Sequence, residues 1–329
     1  MSLDFTLPLV ALQLGGPEIW VTRTLNGLQA GFILFLIASG LTIVLGILDV
    51  LNLAHGELYA LGAYVAFTVF GGLIGLIAPS GGDPMALLFL FVLLALGAAA
   101  VSAAVVVPVG AALEAVFFRV GGIYERDEVY QLVLTFGLLL IMNDLIKAIW
   151  GPSSVRVAGV YSGINAIPVA SLVGLNYPTF NIVVIVVGAV VAGALFYFFN
   201  RTKTGRIIRA TAINREMATA IGVDTDRVFT LVFALGAFFA GFAGAMVLPR
   251  TSASLEMGVE PLVLSFVVIV IGGLGSLRGA LVGALLVGLV ENWAIALNPA
   301  VETAAPYAIM AIVLLVKPEG LYGTWGERT

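Results

Sequence analysis

Runs of about 20 apolar residues recur along this chain, and a run that long lets an α-helix cross a hydrocarbon core of ~30 Å. In lipid each backbone N–H and C=O must be satisfied within the chain, so such runs become helices. They do not alternate polar and apolar with period two, which argues against a β-barrel. Composition agrees: of 329 residues, 61% are hydrophobic and 10% charged, where soluble proteins carry about 25% charged. So few charges cannot cover a water-facing surface. The fold class is therefore all-α, a polytopic transmembrane helical bundle of about eight to ten spans.

Spans are predicted at 25–48, 57–77, 86–112, 130–150, 180–200, 228–248, 262–275, 279–297 and 303–317. The last three include two short ones, separated only by Gly275-Ser276-Leu277-Arg278. Basic residues accumulate on the cytoplasmic side of a bundle. With the loop 201–227 placed there, its side holds Arg119, Arg126, Arg201, Lys203, Arg206, Arg209, Arg215, Arg227, Arg278, Lys317 and Arg328, 11 of the 15 basic residues. The other side holds Arg23, Lys147, Arg156 and Arg250. The expected orientation is a cytoplasmic C-terminus and an external N-terminus. The stretch 151–179, with Pro152, Pro168 and Pro178, reads as an external cap or loop, and 78–85 as a turn.

Several chemistries are excluded. The chain has no cysteine and one histidine, which leaves no disulfide, thiolate nucleophile or multi-histidine metal site. Lys147, Lys203 and Lys317 all lack the preceding glycine of a phosphate loop, so no ATP hydrolysis is expected of this chain. There is no G-x-S-x-G elbow. In Gly272-Gly273-Leu274-Gly275-Ser276-Leu277-Arg278-Gly279 the last glycine falls one residue late for G-x-G-x-x-G, and the run follows an apolar helix rather than a strand. The first basic residue is Arg23, so a basic leading segment is not indicated.

Three features stand out against the apolar background. The first is Asp49-Val50-Leu51-Asn52-Leu53-Ala54-His55-Gly56-Glu57, a polar interruption of an otherwise apolar stretch. It is either a helix break lining a pathway, or a cytoplasmic turn with Asn52 and Glu57 as caps and His55 at the headgroups. The second is the basic loop 201–227, where Ile207, Ala210, Ile213, Met217 and Ile221 recur every three or four residues. That spacing predicts one amphipathic helix from Gly205 to Ile221 ended by Gly222. Such a helix lies either on anionic headgroups or in a groove of a cytoplasmic protein. The third is Gly272–Gly283, whose five glycines suit a re-entrant or helix-to-helix turn. The pairs Gly27/Gly31 and Gly279/Gly283 read as helix-packing contacts. Asn143, Asp144, Glu291 and Asn292 lie near span ends, where structural hydrogen bonding is the expected role.

Together these features resemble the permease subunits of ATP-binding cassette importers of the branched-chain amino acid type. The resemblance rests on Leu53-Ala54-His55-Gly56-Glu57 with Leu61-Gly62-Ala63-Tyr64, then Gly205-Arg206, Arg209-Ala210, Asn214, Glu216, Met217-Ala218 and Ile221-Gly222. Gly272-Gly273-Leu274-Gly275-Ser276 with Gly279-Ala280 and Gly283 completes it. The motifs fall in the family's order over residues 49–292, and the short N-terminus is similar to that of the smaller of the two sister permeases.

The resemblance implies a single transmembrane permease domain over residues 1–329, in the cell (inner) membrane, with a cytoplasmic coupling loop at 201–227 and an external loop at 151–179. It implies a sister permease subunit, in a hetero- or homodimer, two ATP-binding subunits and an extracytoplasmic substrate-binding protein. ATP and Mg then bind in the partners, and this chain holds no cofactor, no metal and no catalytic residue. It assigns Gly205, Arg206, Arg209, Ala210, Asn214, Glu216, Ala218 and Gly222 to coupling with an ATP-binding subunit. It offers Asn52, His55, Gly56, Glu57, Gly273, Gly275 and Ser276 as candidate translocation-pathway residues. Branched-chain amino acids are the expected substrates, with urea or short-chain amides as an alternative. An ATP-independent secondary transporter or channel is the rival of another class.

Overall fold

A computed structural model describes residues 16–74, 84–122, 124, 126–166 and 177–323. Parts of the predicted span 57–77, the turn 78–85 and the loop 151–179, and Arg328, lie outside the described residues. The chain is a helical bundle. In order come α1 (Pro17–Leu48), α2 (His55–Ile74), α3 (Pro84–Leu113), α4 (Glu128–Trp150), α5 (Ala158–Asn165) and α6 (Thr179–Arg201). Then follow α7 (Lys203–Ile213), α8 (Arg215–Ala220), α9 (Thr225–Val247), α10 (Val259–Gly272), α11 (Leu277–Leu297) and α12 (Ala305–Val316). Two two-residue strands, β1 (Val155–Arg156) and β2 (Ser252–Ala253), pair antiparallel.

Among the described residues six helices are long and apolar enough to cross a membrane, and α1 and α9 are their core: 78% and 72% of their apolar windows are buried, against 22% for α4 and 28% for α6. The exposed side of α4, with Val133, Phe136 and Leu140, is thus apolar. Glycines set the closest approaches. A Cβ on Gly62 would lie 2.2 Å from the Gly241 carbonyl oxygen, and one on Gly244 would lie 1.9 Å from that of Tyr59. The pairs expected to pack helices do so: Gly27 and Gly31 lie against Leu289 and Leu285, and Gly279 lies against Gly272.

Three boundaries differ from the sequence expectation. Helix α1 begins eight residues early, where Pro17 at its first turn is compatible with helix entry. Helix α3 runs on as a wider π-helical turn over Glu114–Val120. The short span expected at 262–275 is α10, whose 14 residues reach only about 21 Å at 1.5 Å per residue.

The basic segment of α7 and α8, the glycine turn and residues 318–323 meet at one end of the bundle. One cavity is lined by both Arg209 and Gly275, and another by Asp49, Gly275 and Glu319. The β1–β2 pair follows the other ends of α4 and α9.

Candidate functional site

The polar break is buried, not laid at the headgroups. Helix α1 ends at Asp49, whose left-handed backbone (φ 54°) a short polar side chain tolerates, with its N–H on the Leu45 carbonyl. The chain then climbs back along α1. Asn52 organises the start of α2: its Oδ1 accepts the Ala54 N–H at 3.1 Å and its carbonyl the His55 N–H at 3.2 Å. Asn52, His55 and Glu57 are only 0–1% exposed. His55 Nε2 donates to the Ile37 carbonyl at 3.1 Å, because a carbonyl can only accept. Ile37 lies 11 residues before Leu48, about 16 Å along the helix, so α2 starts deep in the bundle.

A second helix starts at the same place. The segment after α9 pairs Ser252–Ala253 with β1 and then folds inward. Its Leu255 carbonyl accepts from Asn143 Nδ2 at 2.7 Å. Gly258 then meets Gly56 so closely that a Cβ on Gly56 would lie 2.5 Å from the Gly258 carbonyl oxygen. Helices α2 and α10 thus begin against one another inside the bundle. Discontinuous helices of this kind line sites in transporters. Asn143 also donates to Glu57 Oε1 at 3.4 Å, while Glu57 Oε2 and Asn52 Nδ2 have no hydrogen-bond partner. Asn143 is the hydrogen-bonded residue that its place near a span end predicts, and Asp144 is exposed. The folded-back segment escapes sequence periodicity; Gly258 and Pro261 were its only signals.

The candidate pathway residues do not form one site. Gly273, Gly275 and Ser276 lie at the α7 end of the bundle, in the four-residue turn between α10 and α11. Gly273 and Gly275 take φ of 97° and 73°, which glycine alone adopts readily. Ser276 caps α11 by accepting the Gly279 N–H at 3.1 Å. The last carbonyls of α10, at Ile271 and Gly272, accept from Leu321 and Tyr322. Within 272–283, residues 273–276 are therefore a helix-to-helix turn and residues 277–283 are the first turns of α11.

The basic loop is helical but not one helix. Asn214, with φ −152°, ends α7 and caps α8 by accepting the Met217 N–H at 2.8 Å; an Asn side chain competes with helix continuation in this way. Gly222, with φ 89°, follows α8. Gly205 lets α7 fold against α6: a Cβ there would lie 2.3 Å from the Phe198 carbonyl oxygen. Gly205, Ile208, Thr211 and Ala218 face the chain's own bundle. Ile207, Ile213, Met217 and Ile221 are 40–84% exposed, and Arg206, Arg209, Ala210, Asn214, Glu216 and Gly222 are exposed beside them. The apolar stripe thus points away from the bundle.

A network of ring contacts and hydrogen bonds joins this segment to the core. Arg215 sits 4.6 Å from the Phe229 ring centroid. Phe229 packs on Tyr124, and Tyr124 on Phe118. Glu114, fully buried, accepts from Arg119 Nη2 and Thr230 Oγ1 at 2.7 Å and from the Tyr124 hydroxyl at 3.1 Å. Burial and the Glu114 carboxylate raise the Tyr124 phenol well above its ordinary value. The sequence held no signal for Glu114, because its partner Thr230 is 116 residues away. No group of His, Asp or Glu suited to a metal ion occurs among the described residues.

Residues 23–316 match the family described as "Branched-chain amino acid transport system / permease component". The high-affinity branched-chain amino acid transport system permease protein LivH of Escherichia coli (strain K12) is 28% identical over 92% of this chain and 96% of its own length. Its counterpart BraD of Pseudomonas aeruginosa is 29% identical over 93% and 97%. The L-arabinose ABC transporter permease protein AraH of Azospirillum brasilense is 33% identical over 44% of this chain and 43% of its own. No solved structure gives a significant match.

Proposed function

The chain belongs to the permease-component family of branched-chain amino acid transport systems, matched over residues 23–316, and from that premise we propose that it is the membrane-spanning permease subunit of an ATP-driven importer of branched-chain amino acids. The substrate rests on relatives that align over nearly their whole length. The chain works with a sister permease, two ATP-binding subunits and an extracytoplasmic binding protein, and ATP and Mg bind in those partners.

The observation that carries the mechanism is the outward apolar stripe of α7 and α8, with Ile213 84% and Ile221 72% exposed. A short helix with a free apolar face suits a partner's groove. The stripe, with Arg206, Arg209 and Glu216 around it, docks on an ATP-binding subunit. This end of the bundle is cytoplasmic and so is the C-terminus; the excess of basic residues at that end supports the orientation. Nucleotide binding in the partner displaces α7 and α8. The Arg215–Phe229–Tyr124–Glu114 network carries the displacement to α3 and α9. Helices α2 and α10, which start against each other at Gly56 and Gly258, then change their packing and move the opening from one face to the other. Such switching needs two states that nucleotide and loaded binding protein prefer differently. Asn52, His55, Gly56 and Glu57 sit at that junction. Gly273, Gly275 and Ser276 form the turn that lets α10 and α11 move as a hairpin.

Arg209→Glu tests the coupling role. The variant should reach the membrane at normal level and lose uptake together with substrate-stimulated ATP hydrolysis. Unchanged uptake and stimulation would remove the docking assignment.

A further inference from the structure

At the coupling end of the bundle, α1, α6, α7 and the start of α11 enclose a cavity of about 260 Å³. Its wall is divided. Ile47, Phe196 and Phe199 make one part apolar, and Arg209, Ser276 and Arg278 make the other polar and cationic. Arg209 Nη1 donates to Asn200 Oδ1 at 3.1 Å, which steadies the guanidinium at the wall. Neither arginine has a carboxylate partner among the described residues, where the ion pairs are Arg119–Glu114 and Arg227–Asp224. Ser276 is the N-cap of the 21-residue α11, so the positive end of that helix's dipole opens on the same wall.

A further observation is independent of these charges. Thr42 lines the cavity from α1, is 2% exposed, and its hydroxyl has no hydrogen-bond partner. Other helical threonines in this chain bond the carbonyl four residues back, as Thr68, Thr211 and Thr219 do, which is the ordinary resort of a mid-helix threonine. A buried donor left without an acceptor is costly, and a ligand oxygen in the cavity would satisfy it.

We propose that this cavity binds the phosphate of an anionic phospholipid headgroup. Arg278 and Arg209 supply the planar, permanently charged donors that match phosphate oxygens. Thr42 donates to one further oxygen, and the α11 N-terminus favours the negative charge. The apolar wall selects an amphiphile over a free ion, since Phe196 and Phe199 continue the lipid-facing span α6 to the cavity. The leaflet at the coupling end is the one rich in anionic lipid if that end is cytoplasmic. A Cβ on Gly46 would lie 2.8 Å from the Gly275 Cα, so the bound headgroup spans α1, the coupling segment and the glycine turn where they meet.

The test is a binding measurement, separate from any transport result. The full-length chain is purified from membranes with its partners and freed of added lipid. Its thermal unfolding is followed against dioctanoyl phosphatidylglycerol, dioctanoyl phosphatidylcholine and inorganic phosphate. Phosphatidylglycerol should stabilise it saturably and phosphatidylcholine should not. Thr42→Val, which removes only the hydroxyl, and Arg278→Gln, at an exposed position, should each weaken the apparent affinity for phosphatidylglycerol about tenfold, about 1.4 kcal/mol. Affinity for phosphatidylglycerol unchanged from the unsubstituted protein in both variants, or an equal response to the zwitterionic lipid, overturns the site. Inorganic phosphate saturating at a lower concentration than phosphatidylglycerol overturns the lipid as its occupant.

Discussion

Glu114, Arg119 and Thr230 should behave as one energetic unit. The Glu114 carboxylate, fully buried, accepts from Arg119 Nε at 3.3 Å, Arg119 Nη2 at 2.7 Å, Thr230 Oγ1 at 2.7 Å and the Tyr124 hydroxyl at 3.1 Å. Breaking a buried ion pair from one side costs about 3–5 kcal/mol. Because the Arg119 side chain is 36% exposed, solvent screening lowers the expected loss for Arg119→Met to about 2–3 kcal/mol. Glu114→Gln keeps one acceptor oxygen and turns an amide donor toward groups that themselves donate, an expected loss of about 2–4 kcal/mol. The double variant strands neither charge. Its loss should therefore fall short of the sum of the two by about 1.5–3 kcal/mol. Unfolding free energies in mixed detergent micelles for the four chains supply the cycle. Additivity within about 0.5 kcal/mol would refute the network.

Other outcomes follow from single contacts. Gly244→Ala places a methyl group 1.9 Å from the Tyr59 carbonyl oxygen; forced separation of α9 from α2 should cost about 1–3 kcal/mol by the same micelle assay, and an unchanged midpoint would contradict the packing. Asn143→Leu removes the donor to both Glu57 and the Leu255 carbonyl, so it should cost about 2–4 kcal/mol, whereas Asp144→Asn, at an exposed position, should stay within about 0.5 kcal/mol. His55→Ala and Asn52→Ala should each lower uptake in cells while the assembled complex is recovered at normal yield. Normal uptake by both would reduce the break to a structural turn.

Much of the bundle was legible because lipid imposes one rule on every span. The long apolar runs became α1, α3, α4, α6, α9 and α11, and the small-residue pairs at Gly27/Gly31 and Gly279/Gly283 packed helices as expected. The apolar stripe from Ile207 to Ile221 was legible as a three-to-four-residue spacing. Its interruption was not, because a capping Asn214 looks like any polar residue on a helix face until its backbone turns extended. The depth of His55 was hidden for a different reason. Local polarity marks a break, and only the bond to Ile37, 18 residues earlier, shows how far the chain folds back. The return of Leu255 and Gly258 onto Asn143 and Gly56, and the attachment of Thr230 to Glu114, are tertiary contacts that no periodicity encodes. Helix α5, inside the expected external loop, is too short for its eight residues to give a reliable repeat.

The most direct test of the central claim is uptake into proteoliposomes holding this chain, its sister permease, the ATP-binding subunits and the binding protein. With labelled leucine outside and ATP supplied to the ATP-binding face, accumulation should depend on ATP, exceed equilibrium, and vanish in Ile213→Glu while the protein content of the vesicles is unchanged. Equilibration of leucine without ATP by the permease pair alone, or accumulation undiminished by Ile213→Glu, would contradict an ATP-driven permease coupled through the outward stripe of α7 and α8.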